Sequence, residues 1–247
     1  TLWTNLTTQT ENNFSTIEET ALTLLLDWNG EMSKYLPEPL IYTAWMRNLQ
    51  KETIQDELKE LTNYFNKFNP DFIKRVFLSS KKNHVWCDII FTESLENCEK
   101  IAEISFRKTI KELSAIHGER PEVWQWGSVH KAMHKHSALG NIPILDIIFN
   151  IKHPVNGGEH TLQRAGFSNM GNNPFENTQG AGYRGVYDLA NPDNSVYIIA
   201  TGQSGNPLSK YYDNLNIQWN RGEYIPMTLD INEVKSGSIG KSIIKPK

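Results

Sequence analysis

The sequence predicts an α+β fold with a helical first half and a sheet-rich second half, and three observations carry that prediction. Apolar residues recur at near-helical spacing through much of residues 15–116. From about Pro121 onward, glycine, asparagine and proline become frequent and short β-prone runs replace the long periodic stretches. The chain has 247 residues, 38% of them hydrophobic, which is enough to bury a sizeable core. The expected organisation is a mainly helical portion over 1–120 and a sheet-rich portion with a short C-terminal helix over 121–247. The density of tryptophan and tyrosine argues that both portions pack into one body.

Ser15 and Glu18 have capping-box spacing, which starts a helix over about 15–27 that Asp27-Trp28-Asn29-Gly30 stops. Pro37 and Pro39 suit the start of a second helix, whose apolar series Ile41, Ala44, Trp45, Leu49, Ile54, Leu58, Leu61 and Phe65 runs to just before Asn69-Pro70. A third helix is expected from about Ser94 to Ala115, ended by His117-Gly118. In the second half, Gly185–Leu189 and Val196–Ala200 are separated by Asn191-Pro192-Asp193-Asn194, which signals a hairpin. Residues 207–220 suit a short helix with Ser209 as N-cap and Gly222 as its stop, before a last strand over about 224–229.

The net charge is −3 with both signs interspersed, so the one-sided basic face that nucleic-acid binding requires is missing. No run of eighteen apolar residues occurs and no charged-then-apolar stretch opens the sequence, so neither a membrane span nor a targeting segment is expected within it. Cys87 and Cys98 form no C-x-x-C pair and have no histidine at zinc-finger spacing; two buried thiols or one disulfide remain as readings. His130, His134 and His136 invite a metal reading, because i, i+4 imidazoles share a helical face. No glutamate completes an H-E-x-x-H frame, and Gly127 and Gly140 interrupt any long helix, so structural or surface histidines are expected instead. Gly202-Gln203-Ser204-Gly205 lacks the G-x-S-x-G spacing of a nucleophile elbow, which makes Ser204 a turn residue. Gly157-Gly158 is followed by no lysine at P-loop spacing.

Gly202-Gln203-Ser204-Gly205, Ser209, Tyr212-Asp213-Asn214 and Trp219-Asn220-Arg221-Gly222-Glu223-Tyr224 resemble the C-terminal signature of the penicillin acylase family of N-terminal-nucleophile hydrolases, G-Q-S-G-x-x-x-S-x-H-Y-x-D-Q followed by W-x-x-G-x-Y. Leu26-Asp27-Trp28-Asn29-Gly30, Trp126-Gly127-Ser128-Val129-His130, Gly157-Gly158-Glu159-His160-Thr161 and Tyr183-Arg184-Gly185-Val186-Tyr187-Asp188-Leu189 are similar to further family segments, so the resemblance covers about residues 24–224. Two departures stand out: Tyr211 replaces the usual histidine and Asn214 the usual glutamine.

The resemblance implies the C-terminal part of the β subunit of an αββα amidohydrolase, both portions of the chain being parts of one incomplete acylase-like domain. It implies hydrolysis of linear amides, such as a β-lactam side chain or an N-acyl homoserine lactone, through an acyl-enzyme on a serine freed by autoproteolysis. That serine, the oxyanion-hole asparagine, its companion arginine and any calcium ligands are expected upstream of residue 1, so the isolated chain is expected to be inactive, without a metal or cofactor of its own. Its partners would be the upstream portion of the precursor and, for the complete enzyme, the small acyl amide. Thr1 could itself be a nucleophile, but no family nucleophile strand follows it. The resemblance further implies a Cys87–Cys98 disulfide and an exported, periplasmic or secreted protein, a fixed hydrogen-bond network at His130, a sheet-feeding turn at Gly157-Gly158, and Arg184 as the residue nearest the substrate. A noncatalytic interaction module or a pseudoenzyme on the same scaffold is the alternative.

Overall fold

A computed structural model describes residues 14–65, 67–78, 85–168 and 173–246; Thr1 lies outside them. Helices and short strands both occur, in an α+β arrangement, and the chain separates into two compact units. One takes the described residues up to Ala132 together with Pro154–Gln179; the other takes Met133–His153 and the residues from Gly180 onward.

The first unit is built on helices α1 (Thr16–Asp27), α2 (Glu38–Leu58), α3 (Pro70–Leu78) and α4 (Cys98–His117). Glu18 reaches back to the Ser15 backbone N–H at 2.8 Å, the glutamate half of the expected capping box. The same carboxylate pairs with Arg107 at 2.9 Å, joining the start of α1 to α4. Helices α2 and α4 bury Leu40, Ile41, Ala44, Trp45, Leu49, Ile101, Phe106 and Ile110 in one core. The polar groups within it are paired, as burial demands: the Trp45 indole N–H donates to the Ser105 hydroxyl at 3.0 Å, and Asn48 donates to Thr109 and Glu112, each at 2.9 Å.

Two helix limits differ from the sequence expectation. Helix α2 ends at Leu58 and continues only as a 3-10 turn over Lys59–Tyr64. Leu61 and Phe65, which extend the apolar series, are exposed, so no burial holds a longer helix, and buried Gln50 instead ties down the following loop by donating to the carbonyls of Phe65 and Lys67 and accepting from the Asn69 N–H. Helix α4 starts at Cys98 rather than near Ser94, because Asn97 is the N-cap and accepts from the Lys100 N–H at 2.8 Å. Ser94–Glu96 belong to the preceding loop, where Glu96 accepts from the Ile89 N–H at 3.0 Å and Asp56 on α2 accepts from the Ile90 N–H at 2.9 Å. Cys87 and Cys98 close this loop as a disulfide. At the other end, Gly118 stops α4 at φ +85°, a conformation that favours glycine.

The first unit continues through a 3-10 turn (Pro121–Val123) and a one-turn helix α5 (Trp126–Val129). Strand β1 (Lys131–His134) contributes Ala132, which pairs in parallel with Asn177 of β4 (Asn177–Gly180). Strand β3 (Ala165–Phe167) lies on the other side of β4.

In the second unit the rest of β1 neighbours β2 (Ile151–Pro154), with helix α6 (Leu145–Phe149) between them in sequence. Strands β5 (Tyr183–Val186) and β6 (Val196–Ile199) form the expected antiparallel hairpin, Tyr183 opposite Ile199 and Val186 opposite Val196. Asp188 shapes its connection by accepting from the N–H groups of Ala190 and Asn191. The last strand, β7, is only Ile225–Pro226, paired antiparallel with β6, with the Met227 N–H donating to the Ser195 carbonyl just beyond it at 2.8 Å. The expected helix over 207–220 is reduced to α7 (Asn216–Arg221). The Tyr211 carbonyl accepts from the Ser204 N–H at 3.0 Å and Ser209 Oγ from the Tyr211 N–H at 3.2 Å, so residues 207–215 form successive turns and Ser209 is no N-cap. Gly222 stops α7 at φ +76°, and α8 (Ile231–Ser236) follows with Asp230 as N-cap. No helix of the described residues is long and apolar enough to cross a membrane.

Candidate functional site

The motif residues of the first unit converge on the Trp126 ring. Trp126 is fully buried and lies 4.3 Å from His130, centroid to centroid, in a near-parallel stack, with Phe167 and Phe175 completing the aromatic cluster. Its indole N–H donates to the Gly157 carbonyl at 3.0 Å, which fixes the glycine turn against α5. Gly127 donates its N–H to the Lys34 carbonyl at 2.8 Å, and a Cβ there would fall 2.9 Å from Pro154 Cβ, so a larger residue would push these segments apart. Gly157 sits at φ +93° with its N–H on the Met32 carbonyl, and the Gly158 N–H is taken by the Thr161 hydroxyl. That turn leads through the bridge of Gly158 with Arg164 into β3.

His130 is fully buried. Its Nδ1 lies 2.7 Å from the Phe175 carbonyl oxygen, which requires the proton on Nδ1 and leaves Nε2 as a bare acceptor without a partner among the described residues. Burial pushes the imidazole down to about 4, against the small opposing effect of the Phe175 bond. A neutral ring held in one tautomer by a carbonyl and stacked on a tryptophan is a packing element.

A pH prediction follows directly. The unfolded chain takes up this proton near 6.5 while the folded chain refuses it until about 4, so the unfolded state binds more protons within that window. Folding stability should therefore be full above about 6.5 and decline as the pH falls towards 4. Urea-unfolding midpoints across that range check this; a decline of equal steepness in His130→Asn would assign it to other groups.

His134 and His136 belong to the second unit and take other roles. The His134 ring meets Trp219 edge to face at 5.5 Å, while His136 Nδ1 accepts from the N–H groups of Ala138 and Leu139. Burial and, secondarily, His153 lower the His134 pKa. Among the described residues no group of three His, Cys, Asp or Glu side chains is arranged to hold a metal ion.

Arg184 on β5 extends across the Trp219 ring, 5.2 Å from its centroid and 6.0 Å from that of Tyr224, and donates from Nη2 to the Trp219 carbonyl. Burial lowers its pKa, and Nε has no partner among the described residues. The Trp219 indole N–H donates to the Ala181 carbonyl at 2.9 Å, so the tryptophan, the arginine and the start of β5 hold one another.

The Gly202–Gly205 run folds into the turn that meets Tyr211. A Cβ on Gly202 would lie 2.1 Å from the Tyr211 carbonyl oxygen and 2.7 Å from Asn214 Oδ1, so only glycine fits. Ser204 Oγ accepts from the Asn206 N–H and Gln203 reaches the Tyr197 hydroxyl at 3.4 Å, while Gly205 has open space around it. Tyr212 donates its hydroxyl to the Phe149 carbonyl at 2.6 Å, and the Asp213 carbonyl starts α7 by accepting from Asn216. Tyr211 lies under the Lys210 ammonium at 4.9 Å.

Sequence reasoning missed a cavity of about 600 Å³ in the first unit, walled by Trp28, Met32, Tyr42, Met46, Gly158 and Phe167. The Trp28-Asn29-Gly30 and Gly157-Gly158 motifs border it, but their meeting across more than a hundred residues of sequence leaves no local trace.

The sequence model of the family described as Penicillin amidase matches residues 2–236. The chain is 24% identical over 217 residues to the acyl-homoserine lactone acylase QuiP of Pseudomonas syringae pv. syringae, a match of 83% of this chain and 25% of that protein. It is 22% identical over 225 residues to the penicillin acylase 2 proenzyme of a Pseudomonas species, covering 90% of this chain and 28% of that proenzyme. The chain thus spans about a quarter of the length of the curated relatives it matches. The fold is similar to that of the thermostable penicillin G acylase from Alcaligenes faecalis, with a TM-score of 0.57 at 14% identity over 99% of this chain and 45% of that one.

Proposed function

This chain belongs to the penicillin amidase family, and from that premise we propose that it is the C-terminal structural part of an acylase. The whole enzyme would hydrolyse linear amides, the amide of a β-lactam side chain or of an N-acyl homoserine lactone being the class its relatives' names suggest. The chemistry would run through an acyl-enzyme on a serine whose free α-amine, exposed by autoproteolysis, serves as base, with preorganised donors holding the oxyanion.

The match over residues 2–236 is the observation that carries this reading. The side-chain chemistry is consistent with a supporting role. His130 faces a carbonyl and aromatic rings, Ser204 closes a turn, and Arg184 lies on a tryptophan, so each motif residue serves to fix backbone. The disulfide Cys87–Cys98 supports an exported, periplasmic or secreted protein, since such bonds persist in oxidising compartments.

The encoded sequence preceding residue 1 tests the proposal. It should contain a maturation-site serine followed by an asparagine and an arginine in the family arrangement. A preceding sequence without that serine would leave a noncatalytic scaffold in place of the acylase.

A further inference from the structure

The cavity of the first unit is an open apolar groove. Trp28 and Tyr42 form one wall, their ring centroids 5.4 Å apart, and Met46 is buried beneath. At the rim Leu26 is 43% exposed, and Leu162, next to the lining residue Thr161, is wholly exposed. Leu26 and Leu162 thus extend the apolar surface of the groove at its rim.

Several polar groups around the groove are already engaged. The Trp28 N–H is on the Glu31 carbonyl, and the Thr161 hydroxyl accepts from Gly158 and donates to the Gln163 carbonyl. Glu159 pairs with Arg164 at 3.1 Å and accepts from the Phe167 N–H, which leaves the rim electrically balanced. A small-molecule site needs a few converging polar groups to orient its ligand; the lining here is mainly apolar, with Leu25, Leu26, Trp28, Met32, Met46 and Phe167. The chain spans about a quarter of the length of its curated relatives, and on the acylase reading polypeptide outside these 247 residues is available to cover the groove.

We propose that the groove bounded by Leu26, Trp28, Met46 and Leu162 receives an apolar segment of the acylase polypeptide outside these 247 residues. This rests on the reading of the chain as one part of a larger acylase. The segment would seat aliphatic or aromatic side chains between Trp28 and Phe167 and carry no charge into the groove, where a buried unpaired charge would be strongly disfavoured.

The test uses the chain carrying Leu26→Asp together with Leu162→Asp, both at exposed positions where the chain's own fold tolerates the change. The polypeptide encoded upstream is titrated into wild type and variant, with binding followed by isothermal titration calorimetry and gel filtration. The wild type should bind and the variant should bind at least about tenfold more weakly while melting at the same temperature. In the uninterrupted polypeptide the same pair should lower the melting temperature. Equal binding by both forms would overturn the groove assignment and leave the acylase reading standing; a wild type that does not bind would overturn both. The groove assignment would also fail if the variant broke a dimer of this chain alone, or if octanamide filled the groove saturably and left the upstream polypeptide's affinity unchanged.

Discussion

Trp126→Ala should lower the folding stability of the chain by about 3–5 kcal/mol, the range for emptying a large aromatic site in a core. Trp126 is wholly buried, stacks on His130, touches Phe167 and Phe175, and gives its N–H to the Gly157 carbonyl. Truncation removes all of those contacts and leaves a buried carbonyl without a donor, which adds to the cavity cost. Trp126→Phe keeps much of the volume and should lose roughly 1–3 kcal/mol, chiefly from the orphaned carbonyl. Urea-unfolding midpoints with an unchanged slope measure both effects. A loss below about 1 kcal/mol in the alanine variant would mean that the aromatic cluster does not hold the glycine turn in place.

Removing the Cys87–Cys98 disulfide should cost about 3 kcal/mol by the loop-entropy estimate, since its ends are 11 residues apart. Both sulfurs are in the helical core, and the bond fixes the loop that delivers the Ile90 N–H to Asp56. Reduction should raise the intact mass by two hydrogens and lower the urea midpoint, and Cys87→Ser with Cys98→Ser should lower it at least as far, because both sites are buried. Two thiols that alkylate freely in oxidised material would contradict the bond and with it the support for export.

The helices were legible where the signal is local. Ser15 with Glu18, the Pro37 start and the Gly118 stop each act within one turn, and the hairpin at Asn191-Pro192 is set by its own turn residues. The misread limits have non-local causes. Helix α2 stops early because nothing covers Leu61 and Phe65, and the 207–220 segment breaks into turns because the Tyr211 carbonyl is committed to Ser204. The motifs at Trp126, Gly157 and Gly202 were visible as residue patterns, but their partners were not. Phe175 lies 45 residues from His130 and Phe149 lies 63 from Tyr212, distances at which one sequence gives no pairing signal. The same limit hid the groove, whose walls come from α1, α2 and the Gly157 turn.

Hydrolysis of a chromogenic acyl amide by the purified chain, alone and combined with the upstream polypeptide, shows where the nucleophile lies. No turnover above buffer is expected for the chain alone, and turnover is expected once the upstream polypeptide is added. Turnover by the chain alone that vanishes in Thr1→Ala would contradict this expectation, placing the nucleophile inside these 247 residues.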